Sequence, residues 1–254
     1  MKLLRYFIFI LFLILIIFWP SDGQNIELSY RLQPPTWSYW FGTDWLGRDV
    51  FSRTLKALLY SFGVASFAVL LSSVIALVLS VISNIDRRLS SIINFLIDCT
   101  LSLPNLLLLI ILTLAFGGGS TGIILAVAFS HWPKLTRLCK NEIHSIMSRD
   151  YIHYAISFGR KKSSIIMKHA LPHLYPQWLT GTLLMLPHVI LHIAGLSFLG
   201  FGSQQSYPSI GKMLYEANGY LLTGQWWLAL FPGITLIVVT MLISSIIKSL
   251  LLET

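Results

Sequence analysis

The stretch that decides how this chain folds is residues 148–172, SRDYIHYAISFGRKKSSIIMKHALP. This basic loop separates two long apolar segments, and because unpaired charge is costly in hydrocarbon, we expect it to lie outside the bilayer. Residues 151–158 are predicted to form a short helix that ends at Gly159, which enters the left-handed backbone region without a Cβ clash. Ser163 and Ser164 are predicted to cap a second helix, which Pro172 limits. A helix–glycine–helix unit beside apolar segments favours a docking surface over a plain connector.

Composition sets the class of protein. The chain has 254 residues, of which 55% are hydrophobic and 11% are charged, and its mean hydropathy is +0.74. A soluble domain has about 25% charged residues, so we predict an all-α, polytopic membrane protein. The net charge of +8 falls in the gaps between apolar segments, which indicates membrane topology rather than nucleic-acid binding. Cys99 and Cys139 offer neither a disulfide framework nor metal-site spacing.

Six apolar segments are predicted to be transmembrane helices. The first, residues 3–19, is predicted to be an uncleaved anchor, because no small-residue cleavage pattern follows it. An irregular outer loop, residues 21–40, comes next. The other five predicted spans are residues 57–82, 89–116 with a break at Pro104, 121–138, 175–201 and 227–247.

The basic residues predict the orientation of the chain. Lys and Arg total 18, and the six-span topology leaves only positions 31, 48, 53, 56 and 212 outside. The other Lys and Arg residues face the cytoplasm, in agreement with the positive-inside rule. Both termini and the basic loop are therefore predicted to be cytoplasmic, and residues 202–224 are predicted to form an outer loop.

Residues 41–55, FGTDWLGRDVFSRTL, contain a near match to a phosphate-binding loop. Gly42 and Gly47 have the right spacing, but Arg48 and Asp49 stand where Lys and Ser or Thr are required. The chain therefore shows no nucleotide site, and the energy for any active process must come from a partner.

The same stretch alternates in charge. Asp44, Arg48, Asp49 and Arg53 are predicted to form ion pairs at a helix start. We favour a structural clamp at the membrane interface over a role in binding substrate.

Residues 41–55 also resemble the Gly-Thr-Asp-x-x-Gly-Arg-Asp signature of the C-type permease subunits of peptide and nickel ABC importers. The matching residues are Gly42, Thr43, Asp44, Gly47, Arg48 and Asp49. The basic loop resembles the "EAA" coupling loop of ABC-importer permeases. Its matching residues are His153, Tyr154, Ala155, Gly159, Leu171 and Pro172. His153 departs from the usual Glu, which affects a possible salt bridge to the ATPase but not the helix.

The resemblance covers residues 41 to about 250 and implies a division of the chain. Residues 1–40 would be an anchor and outer loop, and residues 41–254 a permease transmembrane domain in the cytoplasmic membrane. The implied partners are a second homologous permease, two cytoplasmic ATPase subunits that contact the basic loop, and an extracytoplasmic solute-binding protein. No cofactor is expected on this chain, because the ATP would be used by the partner ATPases.

Three side chains are candidates for the translocation path. Asp98 is the only acidic residue well inside an apolar run, and an intramembrane carboxylate is a functional candidate. His188 and His192 lie four residues apart on one helix face, a spacing that suits a transition metal. The alternative is that each imidazole bonds a neighbouring helix.

The substrate stays open between two classes. The run from His188 to Gly200, together with Ser130-His131-Trp132, looks more like the nickel-type permeases. Nickel or a metal chelate is therefore the predicted substrate, and a di- or oligopeptide is the alternative, because the two subfamilies share most of their signatures.

Two other classes of protein fit less well. An intramembrane metalloprotease would need a motif such as His-Glu-x-x-His, which the sequence lacks. A membrane scaffold would not explain the spacing of Gly159 and Leu171-Pro172.

Overall fold

The computed structural model describes residues 19, 23–202 and 208–251. Within these residues every regular element is helical, and the only β-type pairing is an isolated bridge between Thr43 and Asp49. The all-α prediction is therefore confirmed. The predicted first span lies outside the described residues except for Trp19.

The helices follow one another with short connections. In chain order they are α1 (Val50–Ile85), α2 (Arg87–Ser102), α3 (Asn105–Ala115), α4 (Gly119–Met147), α5 (Asp150–Ser157), α6 (Lys162–Ile165), α7 (Leu171–Leu196), α8 (Ile210–Leu221) and α9 (Trp227–Leu251). A π-helical turn, Ile166–Ala170, joins α6 to α7, and a second one, Ser197–Phe201, ends α7. A 3-10 turn, Leu28–Tyr30, precedes α1.

Helix α1 is the central element of the fold. Asp49 caps its start by accepting hydrogen bonds from the backbone N–H of Phe51 and Ser52, and Asp86 caps the start of α2. The buried side chains along the middle of α1 are small, which allows neighbouring backbones to approach closely. They include Ala57, Ala65, Ala68, Ser72 and Ala76. Helices α4 and α7 pack on this surface.

Three helices of the described residues are long and apolar enough to cross a membrane: α1, the continuous unit Lys162–Phe201, and α9. Helices α2 and α3 add a fourth if they form one bent span, with a bend of 105° at the break before Asn105. Pro104 accounts for the break between the two helices, because proline lacks the amide hydrogen and clashes with the preceding turn. The count of six spans stays a prediction.

Helix α4 is longer than predicted. The predicted span stopped at residue 138, whereas the helix continues to Met147. The added turns carry Cys139, Ile143 and Ile146, which are buried against Ile166 and neighbours in one of two hydrophobic clusters. Packing of this apolar stripe keeps the chain helical beyond residue 138, the end of the predicted span.

The predicted outer loop, residues 202–224, contains helix α8. Ser209 caps it by accepting a hydrogen bond from the Lys212 N–H at 3.2 Å. Ile210, Met213 and Ala217 are buried in the larger hydrophobic cluster with α7 and α9. This amphipathic helix was not predicted, because the aromatic and loop-type residues around it indicated a loop.

Candidate functional site

The basic loop folds as a short helix, a glycine turn and the start of a second helix. Helix α5 begins and ends one residue before its predicted bounds. Gly159 has φ +80°, in the left-handed region expected for it. Ile152 is fully buried, whereas Tyr154 is exposed and the Phe158 side chain is 87% exposed. The loop is thus anchored by one face and presents aromatic side chains on another.

The start of the second helix differs from the prediction. Lys161 occupies the N-cap position and no side chain caps the helix, so Ser163 and Ser164 lie in its first turn instead. Pro172 does not limit the helix either, because the chain stays helical from Lys162 to Phe201. The π-helical turn before Leu171 widens the backbone where the proline ring would otherwise clash.

The matched residues of the coupling-loop resemblance are therefore spread over two helices. Tyr154 lies on the exposed face of α5, and Leu171 and Pro172 lie in the first turn of α7. The side chains of His153 and Ala155 lie outside what the structure describes.

A buried ion network, the Asp44 clamp, forms in front of α1. It consists of Asp44, Arg48, Arg53 and Glu216. The Asp44 carboxylate accepts hydrogen bonds from the backbone N–H groups of Leu46 and Arg48, both at 2.9 Å, and from Arg48 Nε at 2.7 Å. Arg53 donates to Asp44 at 2.5 Å and to Glu216 at 3.1 Å.

Two features of the Asp44 clamp were not predicted. Asp49 was expected to join the ion pairs, but its carboxylate caps α1, because the first amides of a helix lack backbone partners. Glu216, on α8, was missed. No local pattern could reveal it, because it lies 163 positions from Arg53.

The loop around the clamp is closely packed. Gly47 has φ +75°, and a Cβ there would stand 1.9 Å from the Glu27 carbonyl oxygen. The Arg48 guanidinium lies over the Trp45 ring at 5.2 Å, and that ring stacks on Tyr220 of α8 at 5.8 Å. The signature residues thereby join the front of α1 to α8.

The three candidate path residues do not come together. Asp98 lies on α2, where its side chain is 69% exposed and pairs with Arg137 at 2.5 Å. His192 Nε2 lies 3.1 Å from Asn105 Nδ2, and its ring lies 5.3 Å from that of His131. His188 is exposed one turn earlier on α7.

His131 makes its hydrogen bonds within α4. His131 Nδ1 lies 2.8 Å from Ser130 Oγ and 3.2 Å from the Val127 carbonyl oxygen. The His192–Asn105 contact joins α7 to α3, as the alternative expects for that imidazole. Among the described residues, no three His, Cys, Asp or Glu side chains are grouped so as to hold a metal ion.

A groove of about 420 Å³ lies between α7 and α9. We call it the α7–α9 groove. Pro187, His188 and Leu191 line it on α7, and Met241 and Lys248 are among its lining residues on α9. His188, a predicted path residue, therefore lines the same groove as Lys248, which lies near the end of α9.

Comparison with solved structures supports the architecture. An inward-facing structure of the MetNI methionine ABC transporter matches with a TM-score of 0.60 over 78% of this chain and 94% of that chain. The sequence identity is 16%, so the similarity shows the fold alone.

Comparison with proteins of related sequence identifies the family. The family described as binding-protein-dependent transport system inner membrane component matches residues 68–251. A probable D,D-dipeptide transport system permease of Escherichia coli (strain K12) is 33% identical over 89% of this chain and 77% of its own length. A dipeptide transport system permease of Bacillus subtilis (strain 168) is 32% identical, over 84% and 67%. A nickel transport system permease of E. coli is 30% identical, over 87% and 80%.

These matches confirm the resemblance seen in the sequence. They cover most of the chain, and the relatives include both peptide and nickel permeases. The chain belongs to the family of binding-protein-dependent transport system inner membrane components, as a permease subunit of the peptide and nickel type of ABC importer.

Proposed function

We propose that this permease subunit carries di- or oligopeptides, rather than nickel, across the cytoplasmic membrane. The observation that carries this proposal is the set of relatives, because the two that are most similar among those described above are named for dipeptides. The peptide alternative is therefore favoured over the nickel prediction.

The chemistry of the described residues supports the same choice. A path for a bare metal ion needs clustered imidazole, thiolate or carboxylate ligands, and the described part of the chain offers no group of three. The α7–α9 groove instead places a lysine near His188. An ammonium group repels a divalent cation, and the repulsion is strong where water is scarce.

In the proposed assembly this chain forms one half of the transmembrane path. A second, homologous permease supplies the other half, and an extracytoplasmic binding protein delivers the peptide. Two ATPase subunits bind the basic loop from the cytoplasm. Phe158 and Tyr154, which are exposed on and beside α5, are the anchors that we expect to enter a groove of the ATPase, since buried aromatic side chains carry much of the energy of such interfaces.

The orientation follows from the charges. The basic loop carries Arg160, Lys161 and Lys162 in a row, which places it and both termini in the cytoplasm under the positive-inside rule. ATP closes the ATPase pair, α5 moves with it, and the helix bundles alternate between outward and inward access. No covalent step on this chain is required.

Uptake in a strain that lacks this chain tests the proposal. The complete transporter is supplied on a plasmid, and uptake of a radiolabelled dipeptide is compared with that of radioactive nickel. We expect saturable dipeptide uptake and nickel uptake no higher than with the empty plasmid. A Phe158→Asp variant, which should detach the ATPase, controls for uptake by other systems. Nickel uptake without peptide uptake would reverse the assignment.

A further inference from the structure

The α7–α9 groove is mainly apolar at one end and polar at the other. On α9, Ile237, Thr240 and Met241 line it near the middle of the helix, and Ser244, Ser245 and Lys248 line it toward the end. These residues recur at intervals of three and four, so they lie on one face of the helix. A molecule in the groove would therefore contact mainly apolar side chains at one end and a cationic group at the other.

The size of the groove suits a small organic molecule. Its volume of about 420 Å³ falls within the range of about 300 to 1,000 Å³ that is typical of ligand sites. Such sites combine apolar walls with a few polar groups that fix the orientation of the ligand. Leu191 and Met241 supply exposed apolar surface here.

The charge in the groove has one sign. His188 and Lys248 are its titratable lining residues, and no carboxylate lines it. Lys248 is exposed and forms no ion pair with any residue in the described part of the chain. A cation beside an apolar wall, with no carboxylate among the residues that line the groove, is complementary to a ligand that has a carboxylate and apolar side chains.

We propose that the α7–α9 groove binds the transported peptide through its C-terminal carboxylate, with the Lys248 ammonium as counter-ion. This inference rests on the proposed function and assigns one end of the substrate to one side chain. The peptide's side chains lie along Leu191, Ile237 and Met241. Two other occupants, an anionic phospholipid and the neighbouring permease, become outcomes of the test.

Thiol protection measures occupancy of the groove directly. The complete transporter carrying Ser244→Cys is placed in nanodiscs of zwitterionic lipid and treated with a maleimide, and modification of this chain is followed by mass spectrometry. The probes are dialanine and dialanine amide, which differ only in the carboxylate. Native Cys99 is exposed on α2, away from the groove, and serves as the internal control.

We expect dialanine, at twice its dissociation constant, to slow modification of the Ser244→Cys thiol about threefold, as two-thirds occupancy of one site requires. The amide should give no protection, and modification of Cys99 should not change. Adding Lys248→Met should abolish the protection, whereas Lys248→Arg, which keeps the charge, should retain it.

Other outcomes overturn the inference. Equal protection by the amide, or protection that survives Lys248→Met, would remove the carboxylate contact. Protection in nanodiscs of phosphatidylglycerol without peptide would identify a lipid site, and a thiol that never reacts would show that the neighbouring permease seals the groove. If the wild-type transporter takes up dipeptide and any of these results is obtained, only this inference fails. If no dipeptide is taken up, the proposed function fails.

Discussion

Replacing Asp44 with Asn should strongly destabilise the protein. The Asp44 side chain is 3% exposed and faces two guanidinium groups, those of Arg48 and Arg53. The substitution removes the negative charge and leaves both cations buried beside a neutral amide. Breaking a buried ion pair by removing one partner costs about 3 to 5 kcal/mol. For a chain of this size, that cost lowers the melting temperature by about 6 to 20 °C.

Asp98→Asn is the matched control. The Arg137–Asp98 pair has the same 2.5 Å separation as the Arg53–Asp44 pair, but its side chains are 50% and 69% exposed. Exposed pairs contribute at most about 1 kcal/mol. The same chemical change should therefore have little effect at this position, where the carboxylate is exposed and pairs with one arginine.

The assay is thermal denaturation of the detergent-solubilised transporter, with the soluble fraction of this chain measured at each temperature. The double variant Asp44→Asn/Arg48→Met should melt above Asp44→Asn, because it removes the cation whose ion pair in the described residues is with Asp44 alone, whereas Arg53 keeps its pair with Glu216. A melting temperature of Asp44→Asn within about 2 °C of the wild type, or an equal loss in Asp98→Asn, would show that the Asp44 clamp does not hold α8 to the front of α1.

Three further outcomes are expected. Gly159→Val should uncouple ATP hydrolysis from uptake, because a β-branched residue at φ +80° costs about 1 to 3 kcal/mol; Gly63→Ala, in open space within α1, should leave both rates unchanged. His192→Ala, which leaves Asn105 without its partner, should lower stability by about 1 to 3 kcal/mol in thermal denaturation, and an unchanged melting temperature would argue against that contact. Lys161 should react with an impermeant amine reagent in inverted vesicles only, and labelling of intact cells would reverse the topology.

Local features of the fold could be predicted from the sequence. Helix α5 and the turn at Gly159 depend on residues within about ten positions of one another, so propensity and glycine chemistry were sufficient. The break at Pro104 has the same origin, although its angle of 105° does not follow from a proline alone. A feature that depends on one short stretch can be predicted from the conformational preferences of the residues in that stretch.

Features that depend on packing could not be predicted in this way. Helix α4 continues past residue 138 because Ile143 and Ile146 pack with buried residues of α7 and of the π-helical turn before it. Ser163 and Ser164 were predicted as caps from their chemistry, but the N-cap position falls on Lys161, two residues before Ser163. For α4, packing contacts of the folded chain extend the helix beyond its predicted end.

The nickel prediction shows the same limit at the level of function. Two histidines four apart define a helix face, but ligation needs further donors from other helices at the correct distance. The structure places Asn105 and His131 beside His192, and Leu191, Met241 and Lys248 around the space that His188 faces. Apart from Leu191, which lies on α7, these neighbours come from α3, α4 and α9, and no spacing rule within α7 could reveal them. Because an ammonium group attracts an anion and repels a metal cation, the tertiary neighbours of His188 bear on its chemistry at least as much as its sequence partner does.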